Sequence, residues 1–435
     1  MSLVIPSSSE LNPRTHGTLQ ELAGQLKELQ DYAESVFPES AAQRKAQLDE
    51  RITQLAEAAK ARIDESTLPS VYRAYYWLIL GAAYNAGDEY SSQAATYLQK
   101  AVRLDTQIPE IYLQLGLSSL KAGAWRRAEL LLTRARAFLS GDERPLNALS
   151  LLFRMRPLDI YPGSLDDSVN AARAAVQLAP DSHHSWFSLG MSLLRRTTAG
   201  DFTELERAGD ALRNVIRLRE KSSLPCPDAR FNLAMLSRLV LDLQTAWDEF
   251  HRAAQEDASL TQAVDGCDEI SALAAEIHSR LERPVDFRAE QDTPPNLTGL
   301  QSLHLGLNAE ATVTLQITAL VGRGVPQFYL IRDSQSPHES VASTSSEPNL
   351  TEHAAVLALH QVSSELKVGT RIRITGPACQ MLPLRFANGE NYRFPLVTIR
   401  ADLISSVAVV YQDHTASIPA ESIIGHHIVT RLVPG

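Results

Sequence analysis

IYLQLGLSSLKAGAWRRAELLLTRARA, Ile111–Ala137, is the stretch whose reading decides the fold. Tyr112, Leu115 and Gly116 recur at spacings of three and four, then Ala128, Leu132 and Ala135 continue the repeat spacing without a gap. That is the apolar period of two consecutive helices. The alternation of small and large residues is the informative part. A small residue lets two helices approach closely, and a large residue fills the hole on the other side.

Working outward, the same pattern returns in tandem. Trp77, Leu80, Gly81, Tyr84, Ala94, Leu98 and Ala101 fit it with one extra residue in the turn. Trp186, Leu189, Gly190, Ala208 and Leu212 fit it with a longer turn, TTAGDFTE. Leu233, Ala234, Ala246, Phe250 and Ala253 fit it again. Arg144–Pro180 is a degenerate unit, with a helix through Leu149–Met155, a break at Pro157–Gly163 and a helix ending before Pro180. Four matches and one degenerate unit in a row are the spacing of tetratricopeptide repeats, which stack into a superhelix. A helix over Asp268–Arg283 is expected to cap the array. Upstream, Leu19, Leu22, Leu26 and Leu29, then Leu48, Ile52, Leu55 and Ala59, predict an antiparallel helical hairpin over residues 15–66. Residues 1–14 are expected to be disordered.

After residue 283 the period changes. Residues 284–299 carry prolines and no period and are expected to be a linker. Alternating runs follow at Thr312–Leu320, Gln327–Arg332, Val356–Val362, Thr370–Thr375, Gln380–Phe386, Tyr392–Arg400 and Val407–Gln412. They predict a small all-β barrel or sandwich over 300–415. Ser334–Glu352 is rich in Ser, Thr, Glu and Pro and is expected to be a disordered loop, with 416–435 as a tail.

Composition bounds the function classes. Net charge is −10, and residues 1–299 hold 32 Lys+Arg against 41 Asp+Glu, whereas 300–435 hold 9 against 10. The acidity lies on the helical part and argues against a polyanion surface over the whole molecule. Cys226, Cys267 and Cys379 are far apart and odd in number, so neither a disulfide framework nor a CxxC metal pair is expected. No secretory leader and no stretch long enough for a membrane span is read, so the expectation is the cytoplasm, with the nucleus open. Phosphate-loop, dinucleotide, zincin and hydrolase motifs are absent from the sequence. No enzyme, no cofactor and no metal are therefore expected. His183-His184 and His426-His427 are adjacent pairs whose side chains point apart on a regular element, so neither makes a chelate by itself.

The repeat array offers the better candidate site. If the Trp or Tyr of a repeat is position 4, positions 2, 5, 6 and 9 face the concave groove. Ser150 and Arg154 are then expected in the groove from the degenerate repeat, His184, Phe187 and Met191 from the next, and Asp228, Asn232 and Met235 from the last. A cation at one end and a carboxylate at the other suit an extended peptide of mixed charge, with Asn232 on its backbone and Phe187 and the methionines on apolar side chains. A second candidate is a basic and aromatic face of the β domain, Arg371, Arg373, Tyr392 and Arg393, suited to single-stranded nucleic acid.

An irregular array followed by this β region resembles the tetratricopeptide repeat protein 5 (Strap) family. The likeness is carried by NALSLLFR (Asn147–Arg154), AAVQLAPDSHHSWFSLGMSLL (Ala174–Leu194), PDARFNLAML (Pro227–Leu236), AWDEFHRAA (Ala246–Ala254), LQSLHLG (Leu300–Gly306) and Val368–Ala401. The resemblance implies an oligonucleotide/oligosaccharide-binding (OB) fold for the β domain. It implies an adaptor whose groove reads the Met-Arg-Glu-Ile-type N-terminus of nascent tubulin at the ribosome and recruits mRNA-decay factors. It also implies a nuclear, stress-responsive role beside coactivator proteins, and a general co-chaperone scaffold is the alternative. Arg154 matches the family's groove arginine, the partner of a peptide glutamate, and Asp228 a groove carboxylate. The chain departs at Gln262, where the family carries a glutamate. It departs again at Glu282–Asp292, where two Arg stand against four acids in place of a Lys-rich stretch thought to face the ribosome.

Overall fold

The computed structural model describes residues 3, 5, 6, 12–198, 204–281, 300, 303–308, 311–322, 327–333, 354–359, 366–399, 407–411 and 414–417. The linker 284–299, the Ser-rich loop 334–352, the acidic segment 282–292 and His426-His427 lie outside them. The chain divides into two compact units, one of residues 1–199, 206–230 and 252–261, the other of 200–205, 231–251 and 262–435.

The first unit opens with α1 (Pro13–Ser35) and α2 (Ala41–Arg62). Asn12 and Ser40 cap them by accepting from the backbone N–H groups of Arg14 and Gln43. Leu19, Leu22, Leu26 and Leu29 of α1 bury against Ile52, Leu55 and Ala59 of α2, as the periods predict. The expected disordered start needs a correction. Ile5 is buried in this core, and Pro6 O accepts from Tyr72 Oη at 3.0 Å. An apolar residue beside a helical hairpin with a free apolar flank gains more by packing than by staying in water.

Helix pairs follow: α3 (Ser70–Tyr84) with α4 (Ser92–Leu104), α5 (Pro109–Lys121) with α6 (Trp125–Phe138), α7 (Arg144–Met155) with α8 (Ser164–Leu178), and α9 (His183–Thr198) with α10 (Leu205–Lys221). The small–large alternation does what the sequence predicts. A Cβ placed on Gly81 would sit 2.6 Å from Leu98 Cγ, one on Gly116 2.5 Å from Leu132 Cδ2, and one on Gly190 3.1 Å from Leu212 Cδ2. In each pair the leucine of the second helix rests on the bare backbone of the first. α7 and α8 show how the degenerate unit keeps this geometry. Ser150 stands where the other pairs have glycine, fully buried, and its Oγ lies 3.2 Å from Ser168 Oγ and 2.9 Å from Ser192 Oγ. Hydroxyls replace the bare backbone, and because they bond one another their burial costs little.

The second unit holds most of α11 (Pro227–Leu239), α12 (Leu243–Glu256) up to His251, α13 (Thr261–Leu281), and the sheet. α13 begins earlier than the predicted capping helix. Gly266 of α13 lies under the Phe250 ring, where a Cβ would meet Cδ2 at 2.8 Å.

In the sheet, β2 (Thr312–Gly322), β3 (Gln327–Asp333) and β4 (Ala354–Leu359) form an antiparallel meander. β4 runs parallel to β7 (Asn391–Ile399), and β7 pairs antiparallel with β6 (Pro377–Arg385). β5 (Arg371–Thr375) pairs antiparallel with β2. Only Gly376 separates β5 from β6, and its φ of 66° is left-handed, which glycine adopts without strain. Residues 371–385 are therefore one bent strand that pairs with β2 at its start and with β7 at its end, so the sheet closes into a five-strand barrel. Val313, Leu315, Tyr329, Leu357, Ile372, Ile374 and Val397 fill it. β1 (Gly306–Leu307) adds to β6, while β8 (Val407–Tyr411) adds to β5 and β9 (His414–Ser417) to β8.

Among the described residues, Gln244 and a ring cluster link α12 to the barrel. Gln244 Oε1 accepts from Arg385 N at 2.7 Å, and its Nε2 donates to Arg385 O at 3.1 Å. Trp247 packs 5.2 Å from Phe386, Phe386 5.7 Å from Tyr392, and Tyr392 5.3 Å from His278 of α13, centroid to centroid. Gln244→Ala removes both amide contacts, worth about 1 kcal/mol. Amide hydrogen exchange at Arg385 should then speed up about fivefold, with the barrel core amides unchanged.

Candidate functional site

The polar side chains of α5 and of the end of α3 find their partners within the array. Glu110 pairs with Arg144 at 3.1 Å, and Arg144 pairs again with Asp142 at 2.6 Å. Gln114 Nε2 donates to Glu110 Oε1 at 3.2 Å, and Asn85 Nδ2 donates to Gln114 Oε1 at 3.0 Å. Lys121 Nζ donates to the carbonyls of Asn85 and Gly87. A ligand finds few open groups there.

Arg154 differs. Its Nη1 reaches only Ser188 O and Ser192 Oγ, each at 3.4 Å, and no carboxylate pairs with it among the described residues. Burial alone pushes its guanidinium down to about 10, so it still carries its charge at neutral pH. An enclosed cation with two long contacts to neutral oxygens is under-coordinated. Nearby, Asn147 donates through Nδ2 to Ser185 Oγ at 3.3 Å and leaves Oδ1 buried without a partner.

Three further expected residues converge on one cavity of about 290 Å³, lined by His184, Phe187 and Asp228 together with Glu34, Arg44, Asp88 and Arg219. Sequence reasoning missed the last four, because they come from elements far apart in the chain. Asp228 lies in the first turn of α11, a favourable place for a carboxylate. Burial first, then Asp257 and Asp88, push its carboxyl up, against the pull of Arg44. His184 Nε2 lies 3.4 Å from Glu34 Oε2. His183 is pushed down to about 4 by burial, with His184 and Arg219 adding to it, and is neutral at physiological pH. Glu34 is held below its usual range, because its contacts with the histidines outweigh its burial.

The other expected groove residues fall as follows. Met191 is half-buried on α9, one turn beyond Phe187. Asn232 and Met235 stand four and seven residues after Asp228 on α11, hence on its side of that helix, and Met235 is 46% exposed. Gln262 is exposed at the start of α13. Ser150 is a correction: it does not face the groove but fills the small-residue slot between α7 and α8. Aligning Leu149-Ser150 with Leu115-Gly116 would have shown this, and would have put Asn147 in the groove instead.

The β-domain candidate also needs a correction. Arg371 and Arg373 stand on β5, half-buried, paired in register with Gln316 and Thr314. Tyr392 and Arg393 stand at the far end of the bent strand's other partner, β7. The Tyr392 ring is taken up by Phe386 and His278. The four residues do not form one face.

Cys226, Cys267 and Cys379 are free and buried, and burial pushes their thiols up to about 12, 11 and 12. No helix among the described residues is long and apolar enough to cross a membrane.

No family model matches the chain. Tetratricopeptide repeat protein 5 of Homo sapiens is 27% identical over 245 residues, 55% of this chain and 54% of that protein. The same protein of Mus musculus is 25% identical over 244 residues, 55% of each. The chain thus matches about half the length of these relatives. Similar solved structures include Cut9–Hcn1 of the APC/C (TM-score 0.41, 17% identical, 59% of this chain and 46% of that one). Another is YrrB, a TPR protein with an unusual peptide-binding site (TM-score 0.33, 15% identical, 49% and 96%). The paired helices, the glycine–leucine seats between them and the sequence likeness point the same way: the chain is a remote homologue of tetratricopeptide repeat protein 5, a tetratricopeptide array followed by a mixed sheet.

Proposed function

We propose that this protein is a peptide-binding adaptor whose groove takes an extended N-terminal segment of mixed charge. The observation that carries this is Arg154, an enclosed guanidinium with no carboxylate among the described residues. A peptide carboxylate would complete it through charge-assisted hydrogen bonds. Asp228, whose carboxyl is pushed up by burial first and by Asp257 and Asp88 after it, would gain from a peptide ammonium or guanidinium. Phe187 and Met191 would take an apolar side chain.

The Met-Arg-Glu-Ile head of nascent tubulin offers these charges in adjacent positions, and the likeness to tetratricopeptide repeat protein 5 supports it as the ligand. On this reading the adaptor works in the cytoplasm at the ribosome and hands the tubulin message to decay factors. The test is a titration of the whole protein with a Met-Arg-Glu-Ile-headed peptide against one with a scrambled head. Binding of the first alone is expected. Equal binding of both would end the tubulin reading and leave a general co-chaperone or coactivator scaffold.

A second reading concerns the barrel. Its order, β2-β3-β4-β7 and then the β6–β5 strand back to β2, supports the OB fold. Such barrels bind single strands through one face and its loops. The scattering of Arg371, Arg373, Tyr392 and Arg393 weighs against that use here. Salt-dependent oligonucleotide binding that Arg371→Ala and Arg373→Ala weaken would restore it.

A further inference from the structure

Adjacent histidines on a helix normally diverge by about 100°. At the start of α9 they do not: the His183 and His184 rings lie 4.0 Å apart, centroid to centroid. Glu34, from the C-terminal end of α1, faces them, and one ligand atom from each of the three lies within 4.8 Å of the others. His184 and Glu34 are each about half exposed, so an ion has a path in. The wall around them carries Glu34, Asp88 and Asp228 against Arg44 and Arg219, an excess of carboxylate that favours a further cation.

We propose that Glu34, His183 and His184 form a site for a borderline divalent metal ion of the Zn²⁺ class. Two imidazoles and one carboxylate are the donor set such ions prefer, whereas Ca²⁺ and Mg²⁺ need more oxygens than this cluster supplies. Small side-chain rotations bring three such atoms to ligand distance, and a fourth coordination position stays open to water. Arg219 Nη1 now contacts His183 Nε2 at 3.2 Å. The metal would take that lone pair in its place, and Arg219 would keep its contacts to Pro225 O at 2.7 Å and Glu34 O at 3.2 Å. The ion would tie α1 to α9, elements separated by about 150 residues of chain. This inference is independent of the peptide reading.

The test is Zn²⁺ titration of the whole protein in competition with a chromogenic chelator, without peptide. Co²⁺ is used in parallel for its tetrahedral absorption bands. One ion per chain is expected, with no response to Mg²⁺. Glu34→Gln and His184→Ala should each weaken it at least tenfold, and His426→Ala/His427→Ala should leave it unchanged. Zn²⁺ should raise the thermal midpoint of the parent and not of the two cluster variants. Both cluster substitutions are at half-exposed positions, and their melting without metal checks that they fold. No Zn²⁺ uptake at micromolar concentrations overturns the proposal. So does equal uptake by parent and cluster variants, or loss only in the His426/His427 variant.

Discussion

Arg154→Ala should raise the dissociation constant for a Met-Arg-Glu-Ile-headed peptide by about 10- to 150-fold, the equivalent of 1.5–3 kcal/mol for a lost charge-assisted bond. The same substitution should leave thermal stability unchanged or raise it. Both outcomes follow from one fact: the guanidinium is enclosed, with two 3.4 Å contacts to neutral oxygens and no counter-ion among the described residues. Removing a buried charge that nothing compensates relieves the fold, whereas breaking a compensated pair would damage it. The linkage sign agrees. Burial pushes the group down from its ordinary value to about 10, so folding disfavours the proton, and that cost is present at neutral pH and falls as pH rises through 10. Arg154→Lys should fall between parent and Ala, because an ammonium keeps the charge but loses the fork that grips a carboxylate on two sides. A large drop in stability with unchanged peptide affinity would make Arg154 a structural residue and sink the groove assignment. Calorimetric titration and a melting curve on the same samples decide it.

Leu132→Ala should be the most destabilising single change among those considered, at about 2–5 kcal/mol. Leu132 is fully buried, and its isobutyl group is the knob that fills the space beside Gly116. Gly116→Ala alone should cost about 1–3 kcal/mol, because the new Cβ would lie 2.5 Å from Leu132 Cδ2 and 2.7 Å from Cγ. In the Leu132→Ala background those atoms are gone, and Gly116→Ala should change sign. Alanine then gains up to about 1 kcal/mol of helix propensity and fills part of the cavity. A double-mutant cycle read by denaturant unfolding should show coupling of about 2 kcal/mol. Additive effects would mean that glycine serves α5 for some reason other than seating Leu132.

The glycine–leucine seats were the most legible part of the molecule, because a local spacing determines a local contact. Where Ser150 stands in place of glycine, the frame is hidden from the spacing, although Leu149-Ser150 carries it. The strands of the barrel were legible from their period of two. Its closure was not, since it turns on Gly376 alone, a residue whose left-handed φ has no periodic signature. For the same reason Arg371 and Tyr392 looked like neighbours: alternation gives the side of a strand, not which end of a barrel it reaches. Glu34, Asp88 and Arg219 beside His184 were out of reach altogether. Their meeting depends on the accumulated rotation of the stacked pairs, which no single repeat encodes.

The docking of α12 on the barrel has a practical consequence for anyone preparing parts of this protein. The change of sequence period after residue 283 suggests dividing the chain into a helical piece and a β piece. Trp247, only 9% exposed in the intact chain, is covered in part by Phe386, and Arg385 holds Gln244 beside it. A helical piece ending there would lose the Phe386 cover over one side of the Trp247 indole and the two Arg385 backbone contacts of Gln244. Newly exposed apolar surface favours self-association. The piece should run as concentration-dependent oligomers on gel filtration, and should be rescued by adding the β piece in trans rather than by a change of buffer.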